Sequence, residues 1–210
     1  MRKLIILGAG GFGREVLTWA RQSVQHGTEW EVKGFLDDRE AAELKQPLHA
    51  PLLGRIADYQ PQAEDVFLCA MGTPAMKRAC IENVQARGGT FTQLIHRTAI
   101  VGDEVELADG VIVCPYAIVS GYSSIGRGVA LNMHATVDHD ATVGEYTQIN
   151  CHCDLTGMVS VGCEVYFGSH VSVAPGVTIG DRAYLGIGTV VLRDVAAGTK
   201  MFGVPARRVE

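Results

Sequence analysis

The sequence predicts two unlike parts: an α/β βαβ unit of Rossmann-like type, then an all-β parallel β-helix. Three observations carry this. An aliphatic residue recurs at every sixth position from Val101 to Val191. A glycine turn, Gly8-Ala9-Gly10-Gly11-Phe12-Gly13, follows a short apolar run near the N-terminus. With 25 glycines and 7% aromatic residues in 210, the composition suits many tight turns and thin walls.

The N-terminal unit reads in order. Lys3–Leu7 is a strand, and the GxGxxG turn leads into a helix over Arg14–Gln25. A faint likeness of the first residues to a signal peptide fails because the apolar run is too short and glycines follow at once. A second strand, Val32–Leu36, ends at Asp37-Asp38. A third strand spans Asp65–Met71, and Thr73 can cap a helix from Pro74 to about Ala86. Strand, glycine turn, helix, strand and acid in this order point to a phosphate-binding helix N-terminus. The unit is too short for a full dinucleotide fold, so a mononucleotide is favoured over a nicotinamide nucleotide, with a purely structural turn as the remaining reading.

The second unit is set by its period. Each hexad places one aliphatic residue inward, Phe167 being the exception. Four places on stands a small or β-branched residue such as Ala117, Ser123, Ala135, Thr147 or Cys153. A strict period of six fits one short strand and one turn per hexad, and neither a free helix nor a flat hairpin sheet. Glycines directly after the aliphatic residue, as at Gly102, Gly126, Gly144 and Gly162, mark places where a Cβ would clash.

Charge and cysteine content narrow the function classes. The net charge is −5 with no basic run, which disfavours nucleic acid. No apolar stretch is long enough to span a bilayer. Six cysteines, none in a CxxC pair, are expected as reduced thiols in a cytoplasmic protein.

The strongest candidate for chemistry is Asp138-His139-Asp140. A histidine titrates in the range a general base needs, and a carboxylate fixes its tautomer and raises its basicity. Either Asp138 or Asp140 can be that carboxylate. The hexad pattern resembles the hexapeptide-repeat transferases, in which three hexads make one coil of eighteen residues; that implies that Gly121 and Gly157 lie before and after His139, leaving room beside the imidazole. The same step stacks His134, His152 and His170 in one column, which reads as a surface or interface ladder or, more sharply, as part of a metal site.

The repeat, which covers about residues 95–206 and closes on Gly203-Val204-Pro205-Ala206-Arg207, resembles the left-handed hexapeptide-repeat transferases. With the glycine turn, the chain resembles the branch containing sialic-acid O-acetyltransferase and the UDP-4-amino-sugar N-acetyltransferases. That resemblance implies a nucleotide-sugar-binding domain over 1–94 and a left-handed β-helix acyltransferase domain over 95–210. It implies acetyl-CoA as co-substrate, a nucleotide-linked sugar as acceptor, and a homotrimer with active sites between subunits. His139 is then the general base and Asp140 its orienting partner, with direct transfer and no acyl-enzyme. Gly10, Gly11, Phe12, Asp37, Asp38 and Gly72 contact the nucleotide-sugar, and Gln148, Gly157, Ser169 and Ile187 the acetyl-CoA. Phe12 and Gln148 depart from the family, where histidine is common. Two alternatives stay open: a γ-carbonic-anhydrase-like zinc enzyme using the β-helix histidines, for which His134 and His139 five apart would be suggestive, and a non-catalytic nucleotide-sensing scaffold.

Overall fold

The structure is a computed structural model that describes residues 1–40, 43–44 and 46–209. Its first unit is a parallel sheet of β1 (Arg2–Leu7), β2 (Trp30–Leu36), β3 (Asp65–Cys69) and β4 (Thr90–Phe91), in the order β2-β1-β3-β4. Leu4 to Leu7 on β1 and Val66 to Cys69 on β3 are almost fully buried, as near-continuous apolar strands in a parallel sheet should be. Two helices cover the sheet, α1 (Gly11–Gln22) and α2 (Pro74–Ala86). Helix α1 begins three residues before the expected Arg14, because the glycine turn itself enters the helix with Gly10 as its N-cap. It also stops before Gln25, at Ser23, whose backbone is extended. Gly13 is required there: a Cβ would collide with the Gly8 carbonyl, so only glycine lets α1 sit this close to the end of β1.

The chain then passes from Phe91 to a strand at Leu94–Ile95 that belongs to a different sheet. From there every hexad contributes a two-residue strand, and strands eighteen residues apart pair in parallel. Three long sheets result, and together they form a left-handed, three-faced β-helix. The first face carries Ile112–Val113, Ala130–Leu131, Gln148–Ile149 and Tyr166–Phe167. The second carries Ile118–Val119, Thr136–Val137 and Asp154–Leu155, and the third Ser124–Ile125, Thr142–Val143 and Ser160–Val161.

The inside of the prism is the column of residues that the period of six predicts. Val113, Val119, Ile125, Leu131, Val137 and their successors form one buried cluster with the small residues Ala117, Val129, Ala135 and Ala141. Where the small inward site is polar, the group bonds to a carbonyl of a neighbouring turn. Ser123 Oγ donates to Asp138 O at 2.8 Å, Thr147 Oγ1 to Gly162 O at 3.1 Å, and Cys153 Sγ to Gly168 O at 3.0 Å. The glycines after the aliphatic residue serve close approach: a Cβ on Gly144 would lie 2.5 Å from Gly162 C in the next coil. Left-handed backbone falls instead later in the turns, on residues such as Tyr122, His134, Asp140, His152 and Met158, with φ between 59° and 63°.

The N-terminal unit lies on the outside of the first face. Val16, Leu17, Trp19 and Ala20 of α1 cluster with Leu94, Ile112, Cys114 and Ala130. Helix α2 brings Ile81 against Tyr146 and buries Lys77 completely. Lys77 Nζ donates to Thr147 O at 3.2 Å and Gln148 Oε1 at 3.0 Å, and Arg78 pairs with Glu164 at 2.8 Å. Burial pushes the Lys77 ammonium down to about 8, although the Cys69 and Cys114 thiols oppose that shift. All six cysteines are free. Among the described residues no helix is long and apolar enough to cross a membrane.

Candidate active site

His139 and Asp140 stand in the turn between the strands Thr136–Val137 and Thr142–Val143, at the corner where the second face meets the third. Their side chains are 62% and 57% exposed. His139 Nδ1 lies 2.7 Å from Asp140 Oδ2, so the carboxylate accepts the Nδ1 proton and Nε2 is left with its lone pair. Asp138 makes no bond to the ring; its backbone carbonyl accepts from Ser123 Oγ. Ser123 Oγ also accepts from Ala141 N at 3.3 Å, so one buried hydroxyl in the preceding coil holds both ends of the turn that carries the histidine. Sequence reasoning missed that role. The signal was there, a serine in a column otherwise filled mainly by valine, alanine and threonine.

The two glycines flanking His139 act differently from each other. The ring leans over Gly157: a Cβ there would lie 2.7 Å from Nε2 and 2.8 Å from Cε1. A Cβ on Gly121 would meet Asp103 O at 2.9 Å and would not touch the ring. The space expected beside the imidazole on the Gly157 side is thus occupied by the imidazole itself.

The six residues expected to touch a nucleotide-sugar do converge. Gly10, Gly11, Phe12, Asp37, Asp38 and Gly72 line one cleft of about 460 Å³ over the N-terminus of α1, together with Gly8, Arg39, Met71 and Met76, which sequence reasoning did not single out. Helix α1 offers its first N–H groups uncapped, with no acidic residue in the first turn. Asp37 lines the cleft but is already engaged. It is 4% exposed; Oδ2 accepts from Ala9 N at 2.7 Å, and Arg39 donates to both carboxylate oxygens at 2.6 and 2.8 Å. Burial alone would raise its pKa, but the hydrogen bonds from Arg39 and Ala9 outweigh it and hold the carboxyl at about 2. This carboxylate ties the glycine turn to Arg39. Asp38 Oδ1 accepts from Ala57 N at 3.1 Å.

The residues expected along acetyl-CoA separate. Ser169 and Ile187, eighteen apart, lie at the corner between the first and second faces, and Ile187 is 72% exposed. Gly157 lies at the His139 corner. Gln148 stands apart from these: it is buried on the first face, bonded to Lys77 and, through Nε2, to Asn150 Oδ1 at 3.2 Å. It belongs to the seam beneath α2, where its side chain is already engaged. The column of His134, His152 and His170 is an exposed stack, continued by Tyr116, with ring centroids 4.7 to 5.1 Å apart and planes within 11° of parallel. Stacked rings turn their faces to each other and do not converge their nitrogens on one point, which favours the ladder over the metal reading. Among the described residues no group of three potential ligands has metal-site geometry.

Residues 3–84 match the PglD N-terminal domain family. Two solved structures superimpose over nearly the whole chain. The acetyltransferase domain of PglB from Neisseria gonorrhoeae is 29% identical, with a TM-score of 0.90 and 100% of both chains covered; it is also known with acetyl coenzyme A. PerB from Caulobacter crescentus, solved with CoA and GDP-perosamine, is 28% identical, with a TM-score of 0.89 and coverage of 100% of this chain and 98% of PerB. No curated protein matches the sequence. Residues 3–84 thus carry a PglD-type N-terminal domain, and over its whole length the chain is similar to acetyltransferases that join such a domain to a left-handed hexapeptide β-helix.

Proposed function

We propose that the protein transfers an acetyl group from acetyl-CoA to an amino group, or a hydroxyl group, of a nucleotide-linked sugar, with residues 1–94 holding the nucleotide and 95–210 the transfer site. The likeness to PglB and PerB supports the substrate classes. His139 Nε2 takes the proton of the attacking amine as nitrogen bonds to the thioester carbonyl carbon. Asp140 keeps the ring in the tautomer that can do so. Collapse of the tetrahedral intermediate breaks the carbon–sulfur bond, and the imidazolium returns the proton to the departing thiolate. We assign the oxyanion to the Gly157 N–H, which has no acceptor among the described residues. No cysteine or serine is bonded to His139, so a covalent acyl-enzyme is disfavoured.

One observation carries the assembly. The nucleotide cleft belongs to a unit packed on the first face, whereas His139 stands on the corner opposite that face. In a three-sided prism these are the two most distant positions around the axis, which supports assigning the cleft and the base of one site to two chains. In the homotrimer we propose, the cleft of one subunit would meet the His139 corner of the next. Tyr122 and Met158, stacked before and after Asp140 and 71% and 56% exposed, are apolar surface for such a neighbour to cover. Acetyl-CoA would then run between Gly157 of one subunit and Ser169 and Ile187 of another.

The test is thiol release from acetyl-CoA across a panel of nucleotide sugars, with product masses recorded. An acetylated product from wild type and none from His139→Ala, both folded, is expected. Full turnover by His139→Ala would overturn the base assignment; ligand binding without turnover by wild type would favour the scaffold reading.

A further inference from the structure

We infer that Arg39 is the residue that reads the diphosphate of the nucleotide-sugar, and that Asp37 exists largely to aim it. This rests on the reading of the glycine-turn cleft as a nucleotide site. Arg39 is the cationic side chain lining that cleft, beside two acids, Asp37 and Asp38. A cleft with two carboxylates and no cation would repel a diphosphate. Asp37 is locked to the glycine turn through Ala9 N, and it grips Arg39 on one edge, Nε to Oδ1 at 2.8 Å and Nη2 to Oδ2 at 2.6 Å, with the Arg39 backbone N–H at 3.0 Å from Oδ1 as well. A guanidinium has five N–H donors in a rigid plane. The carboxylate takes two, and among the described residues the other three have no acceptor.

The placement fits the role. A Cβ built on Gly10 would have Arg39 Nη2 as its neighbour at 3.5 Å, so the guanidinium lies over the N-cap of α1. The open edge of the fork and the uncapped N–H groups of α1 therefore border the same space. A monophosphate can occupy the helix terminus alone, whereas a diphosphate can span terminus and fork together, a geometry that planar arginine serves better than lysine. Half of the Arg39 side chain is exposed, as a group waiting for a ligand should be, while its anchor Asp37 is 5% exposed.

The experiment is calorimetric titration of the full chain with UDP, GDP, UMP, GMP and inorganic pyrophosphate, alongside steady-state kinetics with the nucleotide sugar that is turned over. Wild type should bind at least one nucleoside diphosphate more tightly than its monophosphate. Arg39→Gln should weaken that diphosphate by about 10- to 100-fold and erase the preference over monophosphate, the loss falling on KM for the nucleotide sugar rather than on kcat. Arg39→Lys should recover part of it. If Arg39→Gln proves poorly folded because Asp37 is left unpaired, the Asp37→Asn, Arg39→Gln double variant removes both charges while an amide oxygen can still accept from Ala9. A diphosphate affinity within twofold of wild type in a folded variant, or an equal loss for mono- and diphosphate, would overturn the inference and leave the cleft as a nucleotide site. Failure of wild type to bind any of the nucleotides would overturn both.

Discussion

Gly157→Ala is the substitution that most cleanly separates chemistry from folding. Gly157 does not have the positive φ that requires glycine, so alanine is compatible with the backbone. Its Cβ, however, would lie 2.7 Å from His139 Nε2, about 0.7 Å short of the 3.4 Å at which ordinary contact begins. The backbone on both sides is held by the coils, Met158 N to His139 O at 2.9 Å and Gly176 N to Gly157 O at 3.1 Å, so it is the half-free imidazole that must yield. It can yield only by turning away from Gly157, which strains its 2.7 Å bond to Asp140. A misplacement approaching 1 Å at a reacting group costs on the order of 10²-fold in rate. We therefore expect kcat to fall about 100-fold with the melting temperature nearly unchanged, read by thiol release beside a thermal unfolding curve. A folded Gly157→Ala protein with kcat within threefold of wild type would refute the placement of Nε2 as the base.

Three further outcomes follow from the same geometry. Asp140→Asn should lower kcat about 10- to 100-fold while Asp138→Asn leaves it within a few-fold, because only Asp140 is bonded to the ring; the reverse order in the same kinetics would reassign the orienting acid. Ser123→Ala should cost about 1 kcal/mol in urea unfolding, and kcat should fall with it, since the turn bearing His139 loses a hydrogen bond at each end. For Lys77 the folded value of about 8 lies below the ordinary 10.5, so the unfolded chain binds more protons between those pH values and stability rises with pH there. The stability of Lys77→Met relative to wild type should therefore decline by about 2–3 kcal/mol between pH 7 and pH 10; a difference that stays flat in urea titrations over that range would contradict the buried charge.

The β-helix was legible because its core obeys a strict period: each inward position is one residue wide, and a coil cannot tolerate a misplaced large side chain. Val137 and Leu155 could thus be placed from sequence alone, and His139 and Gly157 followed by counting eighteen residues. The cleft was legible for a different reason, since Gly8, Gly10 and Gly13 mark a backbone that must pass close to a helix end. What could not be read were side-chain partnerships across the two units. Gln148 was expected along acetyl-CoA from the family resemblance, and nothing local says that α2 lies over it and that Lys77 spans the seam. The pairing of Asp37 with Arg39, two residues on, is likewise not visible in the sequence. The direction in which His139 leans is also invisible to counting, which treats Gly121 and Gly157 as equivalent.

The central claim is that the cleft of one subunit works with His139 of another. Subunit complementation tests it directly: His139→Ala protein is mixed, by unfolding and refolding together, with a cleft-filled Gly11→Trp protein, each inactive alone. Gly11 has no atom within 4 Å of an added Cβ, so a side chain can leave the turn there without a clash at its first atom. Random co-assembly should restore up to about a quarter of wild-type thiol release, from sites pairing an intact cleft with an intact histidine on different chains. No activity above the sum of the two separate variants, in mixed oligomers shown to form, would contradict the account.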